Sequence, residues 1–520
     1  MPLNRIGLLT GIILFFIVLV WPAGSTLPPE AQKVLAITIL VGIWWITEAL
    51  PIPMTSLLPA VLLPVLGIMT SQDAIKSYAH DLIFLLMGGL FLAQGIEKWN
   101  LHKRIALNIM SWIGVNPRQI VLGCMISAAF LSMWISNTAT TLMMLPIALA
   151  LISQLQNSWQ TENLAPNPCF QNFSICLLLG IAYAANIGGM GTLIGTPPNL
   201  IFAGQFGEHF PAAPQVTFAT WSMVSLPIVL IFIPAMWAMF VWVLTPLPSA
   251  NLARESDIDV IQTELAGLNE MSAGERWIRR IVVVTAFLWI FRKPIPLWGG
   301  WEIPGWSQIF TYFDVFHDLA VEKYVTDATV VLFMVLLCFA IRVRHDGKSK
   351  ALLDWDHANR IPWGMLLLFG GGLAIAKGFD VSGLSVWIGQ QMQQATDLST
   401  PLVVGGIVAS MTFLTEITSN TATATMILPV LASLALALDI HPFVLMVPAA
   451  MAANCAFMLP VGTPPNAIIF STGKIKIIEM VRNGFWLNII AMLLIVAAVY
   501  FLLPMLWGVD ITTYPDAFRD

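Results

Sequence analysis

The 520-residue chain carries little charge for its length. Only 10% of its residues are Asp, Glu, Lys or Arg, whereas a soluble domain has about 25%. Hydrophobic residues make up 58%, and the mean hydropathy is +0.80. The net charge of −5 is spread along the sequence without a basic stripe, so we expect no nucleic-acid partner. This composition predicts an integral membrane protein.

Reactive side chains are also scarce. Five cysteines, an odd number without regular spacing, indicate free thiols rather than a disulfide framework or a metal site. All seven histidines fall in predicted loops or at helix ends, which argues against a proton relay built from histidines. If the chain uses a coupling ion, this favours sodium over the proton. The sequence has no HExxH motif, no GxSxG in a membrane helix and no paired intramembrane aspartates. We therefore expect neither an enzyme nor a resident cofactor.

Long apolar runs, by contrast, are abundant. Runs such as 6–21, 326–341 and 484–507 are typical of membrane helices, because barrel strands alternate apolar and polar residues. Two further apolar segments, 119–152 and 401–437, are interrupted by polar residues and are predicted to be re-entrant hairpins. The predicted fold class is all-α, with eleven transmembrane helices at about 5–22, 33–50, 53–69, 82–96, 174–192, 221–245, 277–292, 326–343, 362–377, 442–459 and 483–507.

The distribution of positive charge supports this layout. With a cytoplasmic N-terminus, and hairpins that leave by the side they enter, 17 of the 24 Lys and Arg lie in cytoplasmic segments and six lie outside. Eleven crossings then place the C-terminus on the outer side of the membrane. The chain is predicted to be a multi-pass protein of the cytoplasmic (inner) membrane. The predicted cytoplasmic segments are 1–5, 97–118, 153–173, 246–280, 342–360 and 471–482.

The two interrupted segments carry related sequences. ISNTATTLMMLP at 135–146 and TSNTATATMILP at 418–429 agree at eight of twelve positions and lie 283 residues apart. AANIGGMGTLIGTPPN at 184–199 likewise matches AANCAFMLPVGTPPN at 452–466. In the layout set by the charges the two copies have opposite orientations, which predicts a pair of inverted repeats.

The repeat divides the chain into predicted regions. Each repeat contains one hairpin and one helix that is broken at a GTPPN motif. The regions are an N-terminal helix at 1–32, a first repeat at 33–245 (hairpin 119–152, broken helix 174–204), a cytoplasmic amphipathic linker at 246–276, and a second repeat at 277–520 (hairpin 401–437, broken helix 442–470).

The paired motifs have complementary chemistry. Two successive prolines stop a helix, whereas a proline fits the first position of a new one. A GTPPN break therefore exposes carbonyls that suit a small hard cation, and helix-start N–H groups that suit an anion. Ser-Asn-Thr adds neutral oxygen ligands and donors for a carboxylate or sulfate. Close helix packing would also use such small residues, but their doubling favours two cation sites flanking one anion site.

These doubled motifs, with WWITEALPIP at 44–53, resemble the divalent anion/sodium symporter family over nearly the whole chain. The resemblance implies a homodimer with an elevator mechanism, in which the hairpins and broken helices slide against a fixed scaffold. It implies one sodium site at Ser132, Ser136, Asn137 and the Gly195 carbonyl, and another at Thr415, Ser419, Asn420 and the Gly462 carbonyl. It implies substrate contacts at Asn137, Thr138, Thr196, Asn420, Thr421 and Thr463.

The activity that the resemblance implies is sodium-coupled uptake of C4-dicarboxylates such as succinate, malate or fumarate. A sulfate or citrate carrier, or a dicarboxylate exchanger of the same fold, remains an alternative. The linker at 246–276 is too short for the soluble domain that some sulfate-type relatives carry, which favours dicarboxylates. An arsenite-type efflux permease fits the doubled motifs less well.

Charged residues near the motifs lead to three further expectations. No Arg lies in either hairpin or break, so bound sodium and helix ends must attract a dianion, and its affinity should depend on sodium. Glu416, whose first-half counterpart is Met133, is predicted to cap or pair at the edge of the second hairpin. Glu48, which ends a predicted helix, is expected to set scaffold geometry rather than to contact substrate.

Overall fold

Helices make up most of the structure, a computed structural model. Two short antiparallel ladders accompany the helices in the part of the chain that the structure describes. β1 (Ile295–Pro296) pairs with β2 (Glu302–Ile303), and β3 (Arg342–His345) pairs with β4 (Lys348–Ala351). The described residues are 3–22, 27–114, 116–161, 167–247, 259–296, 302–312, 321, 324–345, 347–393 and 399–518.

The helices of the first half end near residue 247. A 3-10 turn at Ser77–Ala79 follows the fifth of them, and a π-helical turn at Phe240–Leu244 extends the twelfth. The helices of the first half are α1 Leu3–Val20, α2 Pro29–Thr47, α3 Ile52–Thr55, α4 Leu58–Val65, α5 Ser71–Lys76, α6 Asp81–Lys98, α7 Leu101–Ile113, α8 Pro117–Ser132, α9 Asn137–Thr161, α10 Asn167–Gly189, α11 Pro197–His209 and α12 Phe218–Met239.

The helices of the second half follow the linker region. A 3-10 turn at Asp516–Phe518 closes the described chain. The helices of the second half are α13 Asp259–Gly267, α14 Ala273–Ile290, α15 Gln308–Tyr312, α16 Asp327–Ala340, α17 Trp355–Ala358, α18 Trp363–Val381, α19 Leu384–Gln393, α20 Thr400–Leu414, α21 Asn420–Ala437, α22 Phe443–Ala452, α23 Pro464–Phe470 and α24 Ile477–Trp507.

Among the described residues, eight helices are long and apolar enough to cross a bilayer. Several predicted spans are shorter or divided, and 53–69 becomes α3 and α4 because Pro51 precedes the first and Pro59 lies in the first turn of the second. The total of eleven crossings stays a prediction. The eight are Pro29–Thr47, Ser71–Lys98, Asn137–Gln156, Phe170–Gly189, Phe218–Leu244, Trp363–Val381, Asn420–Ala437 and Ile477–Trp507.

Both interrupted apolar segments fold as two helices joined by a short turn. α8 and α9 meet across 133–136, and α20 and α21 meet across 415–419. Asn116 starts α8 with a capping box that it shares with Gln119, which satisfies two N–H groups that the helix leaves without partners. Each turn therefore carries its Ser-Asn-Thr motif to the tip of a helix pair.

The helices that follow are interrupted at the GTPPN motifs. α10 ends at Gly189 and α11 begins at Pro197, while α22 ends at Ala452 and α23 begins at Pro464. The motif threonine occupies the N-cap of the new helix in each half, in an extended conformation, and the prolines fill the first turn. These breaks leave backbone carbonyls and N–H groups beside the hairpin tips.

The helices of the two halves pack in the same order. α10 packs against both arms of the α8–α9 pair, and α22 packs against both arms of the α20–α21 pair. The helix after each break then contacts the hairpin of the other half, α11 against α21 and α23 against α9. This exchange brings all four motifs to one place.

Polar connections attach to the corner between α6 and α7. Residues 248–258 of the predicted linker lie outside the described residues, and the rest of 246–276 holds α13 and the start of α14. Arg104 in α7 pairs with Glu275 of α14 at 2.8 Å. Lys98 at the end of α6 pairs with Asp354 at 2.7 Å. The linker and the predicted loop 342–360 are therefore held at the same corner.

Candidate ion and substrate site

Three oxygen atoms converge at the tip of the first hairpin. Ser132 Oγ lies 2.5 Å from Asn137 Oδ1 and 2.6 Å from the carbonyl oxygen of Ala185. These residues come from α8, α9 and α10, so both hairpin arms and the broken helix contribute one oxygen each. A single hydroxyl hydrogen cannot satisfy two acceptors at once. The cluster therefore has an excess of lone pairs, which suits a small cation.

A missing side chain keeps space open beside this cluster. A Cβ atom on Gly189 would lie 2.7 Å from Asn137 Oδ1 and 3.3 Å from the carbonyl oxygen of Gly195. The hairpin amide oxygen and the carbonyl oxygen of the helix break thus both lie close to the position that a side chain would take. Two neutral oxygens beside a residue without a side chain suit a small hard cation.

The second hairpin repeats the oxygen cluster. Thr415 Oγ1 contacts Asn420 Oδ1, and it lies 3.0 Å from the carbonyl oxygen of Ala453. These atoms occupy the positions equivalent to the first cluster in the aligned motifs. The surroundings differ, because a Cβ atom on Gly462 would lie 3.3 Å from both the carbonyl oxygen and Oε2 of Glu416. A carboxylate therefore adjoins the second break.

A cavity of about 540 Å³ joins the two hairpin tips and the two breaks. Ser132 and Thr415 lie fully buried behind its wall. The structure therefore brings the predicted site residues of both halves together. Ten of them line the cavity: Ser136, Asn137, Thr138, Gly195, Thr196, Ser419, Asn420, Thr421, Gly462 and Thr463.

The charge of the cavity is unfavourable for a free anion. Its lining, all of which the structure describes, contains no Lys or Arg, and Glu48 is the charged residue within it. Glu48 ends α2 in a left-handed conformation, with φ of 47°, and it contributes to the wall rather than only to scaffold geometry. Positive potential instead comes from helix N-termini, since α9, α11, α21 and α23 all begin at residues of the lining.

Two asparagines at the site are not among the residues predicted from the sequence. Asn186 Nδ2 donates to Thr463 Oγ1 at 3.0 Å, and Asn454 Oδ1 accepts from Thr196 Oγ1 at 2.9 Å. Each asparagine thus reaches the break threonine of the other half. The signal was present, because Ala-Ala-Asn opens both copies of the aligned 184–199 stretch.

Glu416 anchors the second break. The carboxylate is buried and accepts hydrogen bonds from three consecutive backbone N–H groups and one side-chain amide. The predicted capping role at the hairpin edge is therefore replaced by a related one. Glu416 accepts hydrogen bonds from N–H groups as a capping residue does, but these N–H groups belong to the helix break and not to the hairpin. The donors are Phe457, Met458 and Leu459 through their backbones, at 2.8 to 3.0 Å, and Asn488 Nδ2 at 2.8 Å.

Comparison with known proteins shows the family of the chain. A family model described as the sodium:sulfate symporter transmembrane region matches residues 4–509. The protein named sodium-dependent dicarboxylate transporter SdcS from Staphylococcus aureus strain bovine RF122 / ET3-1 is 43% identical over 511 residues, which cover 97% of this chain and 92% of the relative. SdcS from strain MSSA476 matches with the same identity and coverage.

A solved structure shares the fold. The structure of Neisseria gonorrhoeae MtrF, described with a class of antimetabolite efflux pumps, has a TM-score of 0.52 and covers 95% of this chain and 96% of that one. The sequence identity is 12%, so this likeness concerns the fold alone.

Proposed function

The chain belongs to the sodium:sulfate symporter family, and on that premise we propose that it carries C4-dicarboxylates such as succinate, malate and fumarate into the cell together with sodium. The S. aureus relatives named sodium-dependent dicarboxylate transporters support both the substrate class and the coupling ion. The family and these relatives are transporters, so we assign no catalytic residue and no resident cofactor.

The observation that best supports this proposal is the pair of matching oxygen clusters beside one cavity that lacks Lys and Arg in its described lining. Neutral oxygens bind an alkali cation without binding an anion. A dianion binds weakly in a cavity whose one charged side chain is Glu48 unless bound cations add their charge to that of the helix N-termini. Sodium at the two clusters would supply that charge, and the substrate would in turn strengthen sodium binding by the same factor.

We assign the site as follows. Sodium would bind at the two hairpin tips, and the substrate carboxylates would meet the asparagines and threonines between them. The first sodium site comprises Ser132, Ser136, Asn137 and the Gly195 carbonyl. The second comprises Thr415, Ser419, Asn420 and the Gly462 carbonyl. The substrate contacts are Asn137, Thr138, Thr196, Asn420, Thr421 and Thr463, of which Thr196 lies beside the substrate without donating its hydroxyl hydrogen, because that hydrogen bonds Asn454.

The architecture suggests how the site could reach both sides of the membrane. In this proposal the hairpins are re-entrant within two inverted repeats, and eleven helices cross the cytoplasmic membrane with the N-terminus inside and the C-terminus outside. The hairpins and broken helices move together as an elevator within a homodimer. The linker 246–276 and the loop 342–360, both held at the α6–α7 corner, serve as the connections that permit the movement.

Uptake into proteoliposomes tests the proposal. We expect labelled succinate to accumulate when an inward sodium gradient is imposed, and not when choline replaces sodium. Unlabelled succinate, citrate and sulfate added in competition will rank the substrates, and a preference for sulfate or citrate would favour the alternative carriers. Accumulation that needs an internal dicarboxylate but no sodium gradient would instead indicate an exchanger.

A further inference from the structure

The threonines of the two breaks occupy equivalent places but differ in their hydrogen bonds. Thr196 and Thr463 each form the N-cap of the helix after the break, and each lines the cavity. The Thr463 hydroxyl accepts the N–H of Asn466 at 3.3 Å, as a capping side chain does. Thr196 makes no side-chain cap bond within its own helix. The repeat has thus diverged at a position that lines the cavity in both halves.

The hydroxyl of Thr463 is left as a donor. Its oxygen accepts from both Asn186 Nδ2 and the backbone N–H of Asn466. A hydroxyl has two acceptor sites and one hydrogen, so these bonds occupy its acceptor capacity. The remaining hydrogen is available to a ligand in the cavity. A carboxylate oxygen, which only accepts, is the partner that it fits.

The hydroxyl of Thr196 is in the opposite state. It donates its hydrogen to Asn454 Oδ1, whose amide orientation is fixed because Asn454 Nδ2 donates to the carbonyl oxygen of Ala450 at 3.0 Å. A carbonyl can only accept, so the amide cannot be reversed without losing that bond. Thr196 consequently presents acceptor lone pairs to the cavity. These suit a water or a cation and disfavour a carboxylate.

Asn186 also connects Thr463 to the first oxygen cluster. Its Oδ1 accepts from Asn137 Nδ2 at 3.4 Å, while Asn137 Oδ1 faces Ser132. A cation held by Asn137 Oδ1 keeps the Asn137 amide in this orientation, because its N–H₂ group must then point away from the ion. The same orientation leaves Asn186 Oδ1 as acceptor and Asn186 Nδ2 as donor to Thr463.

We propose that Asn186 and Asn454 give the two break threonines opposite roles: Asn186 makes Thr463 the hydrogen-bond donor that selects a carboxylate, and Asn454 withdraws the Thr196 hydrogen from the substrate. Asn186 is therefore a positioning residue that acts through Thr463 and links the first ion cluster to the anion. This role rests on the proposed function, since the anion concerned is the one that the site carries.

The test is a double-mutant cycle on succinate uptake at saturating sodium. Thr463→Val should raise the half-saturating succinate concentration by about 10- to 100-fold, because a hydrogen bond to a charged group is worth that much in affinity. Thr196→Val should raise it several-fold less, and Thr463→Ser should restore binding. Asn186→Leu should weaken succinate binding too, and adding it to Thr463→Val should cause little further loss.

Controls separate this role from folding and from the proposed function. Thr38→Val makes the same substitution in α2, where the hydroxyl donates to the Val34 carbonyl of its own helix, and it should transport as the wild type does. Equal losses in Thr196→Val and Thr463→Val, or additive losses in the double variant, would overturn the inference while leaving sodium-driven uptake intact. If Asn186→Leu does not accumulate in the membrane, the comparison of Thr196→Val with Thr463→Val tests the inference by itself. Absence of sodium-driven uptake by the wild type would instead reject the proposed function.

Discussion

The two halves build the same oxygen cluster in different surroundings. Ser132, Asn137 and Ala185 in the first half correspond to Thr415, Asn420 and Ala453 in the second, with the hairpin residues 283 positions apart and the alanines 268 apart. In both halves a hydroxyl at the end of the first hairpin arm, an amide oxygen at the start of the second arm and a backbone carbonyl near the end of the following helix come together. The repeat thus preserves the proposed ligand atoms while the residues around them change.

The shells differ in space and in charge. The first cluster borders the gap at Gly189, whereas in the second half the carboxylate of Glu416 lies beside Gly462. The first cluster connects through Asn186 to Thr463. We therefore expect the two ions to be unequal: a nearby carboxylate strengthens the second site, and the amide chain ties the first site to the substrate.

Removal of either motif asparagine should have the largest effect. Asn137→Ala and Asn420→Ala each delete a proposed ion ligand and a candidate substrate contact, so we expect each to abolish uptake while the protein still accumulates in the membrane. Asn108→Ala on the exposed face of α7 is the matched control and should transport normally. Uptake near the wild-type rate in either motif variant would contradict the site assignment.

Changes at Glu416 should distinguish the halves next. In Glu416→Gln an amide N–H₂ group would face backbone N–H donors, which should cost about 2–4 kcal/mol in unfolding free energy because buried donors lose their acceptor. Met133→Leu at the equivalent place in the first half should cost less than about 1.5 kcal/mol. Thermal unfolding of the purified protein measures both. Equal destabilisation would show that the carboxylate has no special role.

The gap at Gly189 offers a smaller and more selective change. A methyl group there would approach Asn137 Oδ1 at 2.7 Å, so Gly189→Ala should raise the half-saturating sodium concentration by about 10-fold through loss of one ligand contact. Gly207→Ala in α11 meets open space and should leave sodium dependence unchanged. Sodium titration of uptake checks both variants, and unchanged titration of Gly189→Ala would remove the glycine from the ion site.

The capping serines should show the smallest effects. Ser136 Oγ accepts the N–H of Ala139 at 3.2 Å, and Ser419 Oγ accepts the N–H of Ala422 at 3.5 Å. Loss of a cap costs about 1 kcal/mol, so Ser136→Ala and Ser419→Ala should lower stability by about that amount and weaken sodium binding a few-fold. Thr at either position should restore the cap. A complete loss of uptake would contradict this ranking and make each hydroxyl as important to its sodium site as the motif asparagine.

The local features of the site were predictable from the sequence. Paired prolines indicate where a helix must stop and restart, and α11 and α23 begin there. The repeated Ser-Asn-Thr indicates a polar tip within an apolar hairpin, and the turns lie at those residues. These signals involve residues close together in the chain, so the backbone chemistry of a few positions decides the outcome.

The long-range features were not predictable in this way. Asn488 reaches Glu416 from 72 positions away, and Asn186 reaches Thr463 from 277 positions away. Nothing in the local sequence of α24 distinguishes Asn488 from a polar residue that caps or packs. Its partner depends on how α20, α22 and α24 pack together, which the periodicity of single helices does not determine.

Equilibrium binding of succinate to the purified protein, measured in sodium and then in choline at equal ionic strength, tests the central claim most directly. If cations held by the paired oxygen clusters supply the charge that attracts the dianion, affinity should fall on the order of 100-fold when choline replaces sodium. Equal affinity in the two buffers would contradict it.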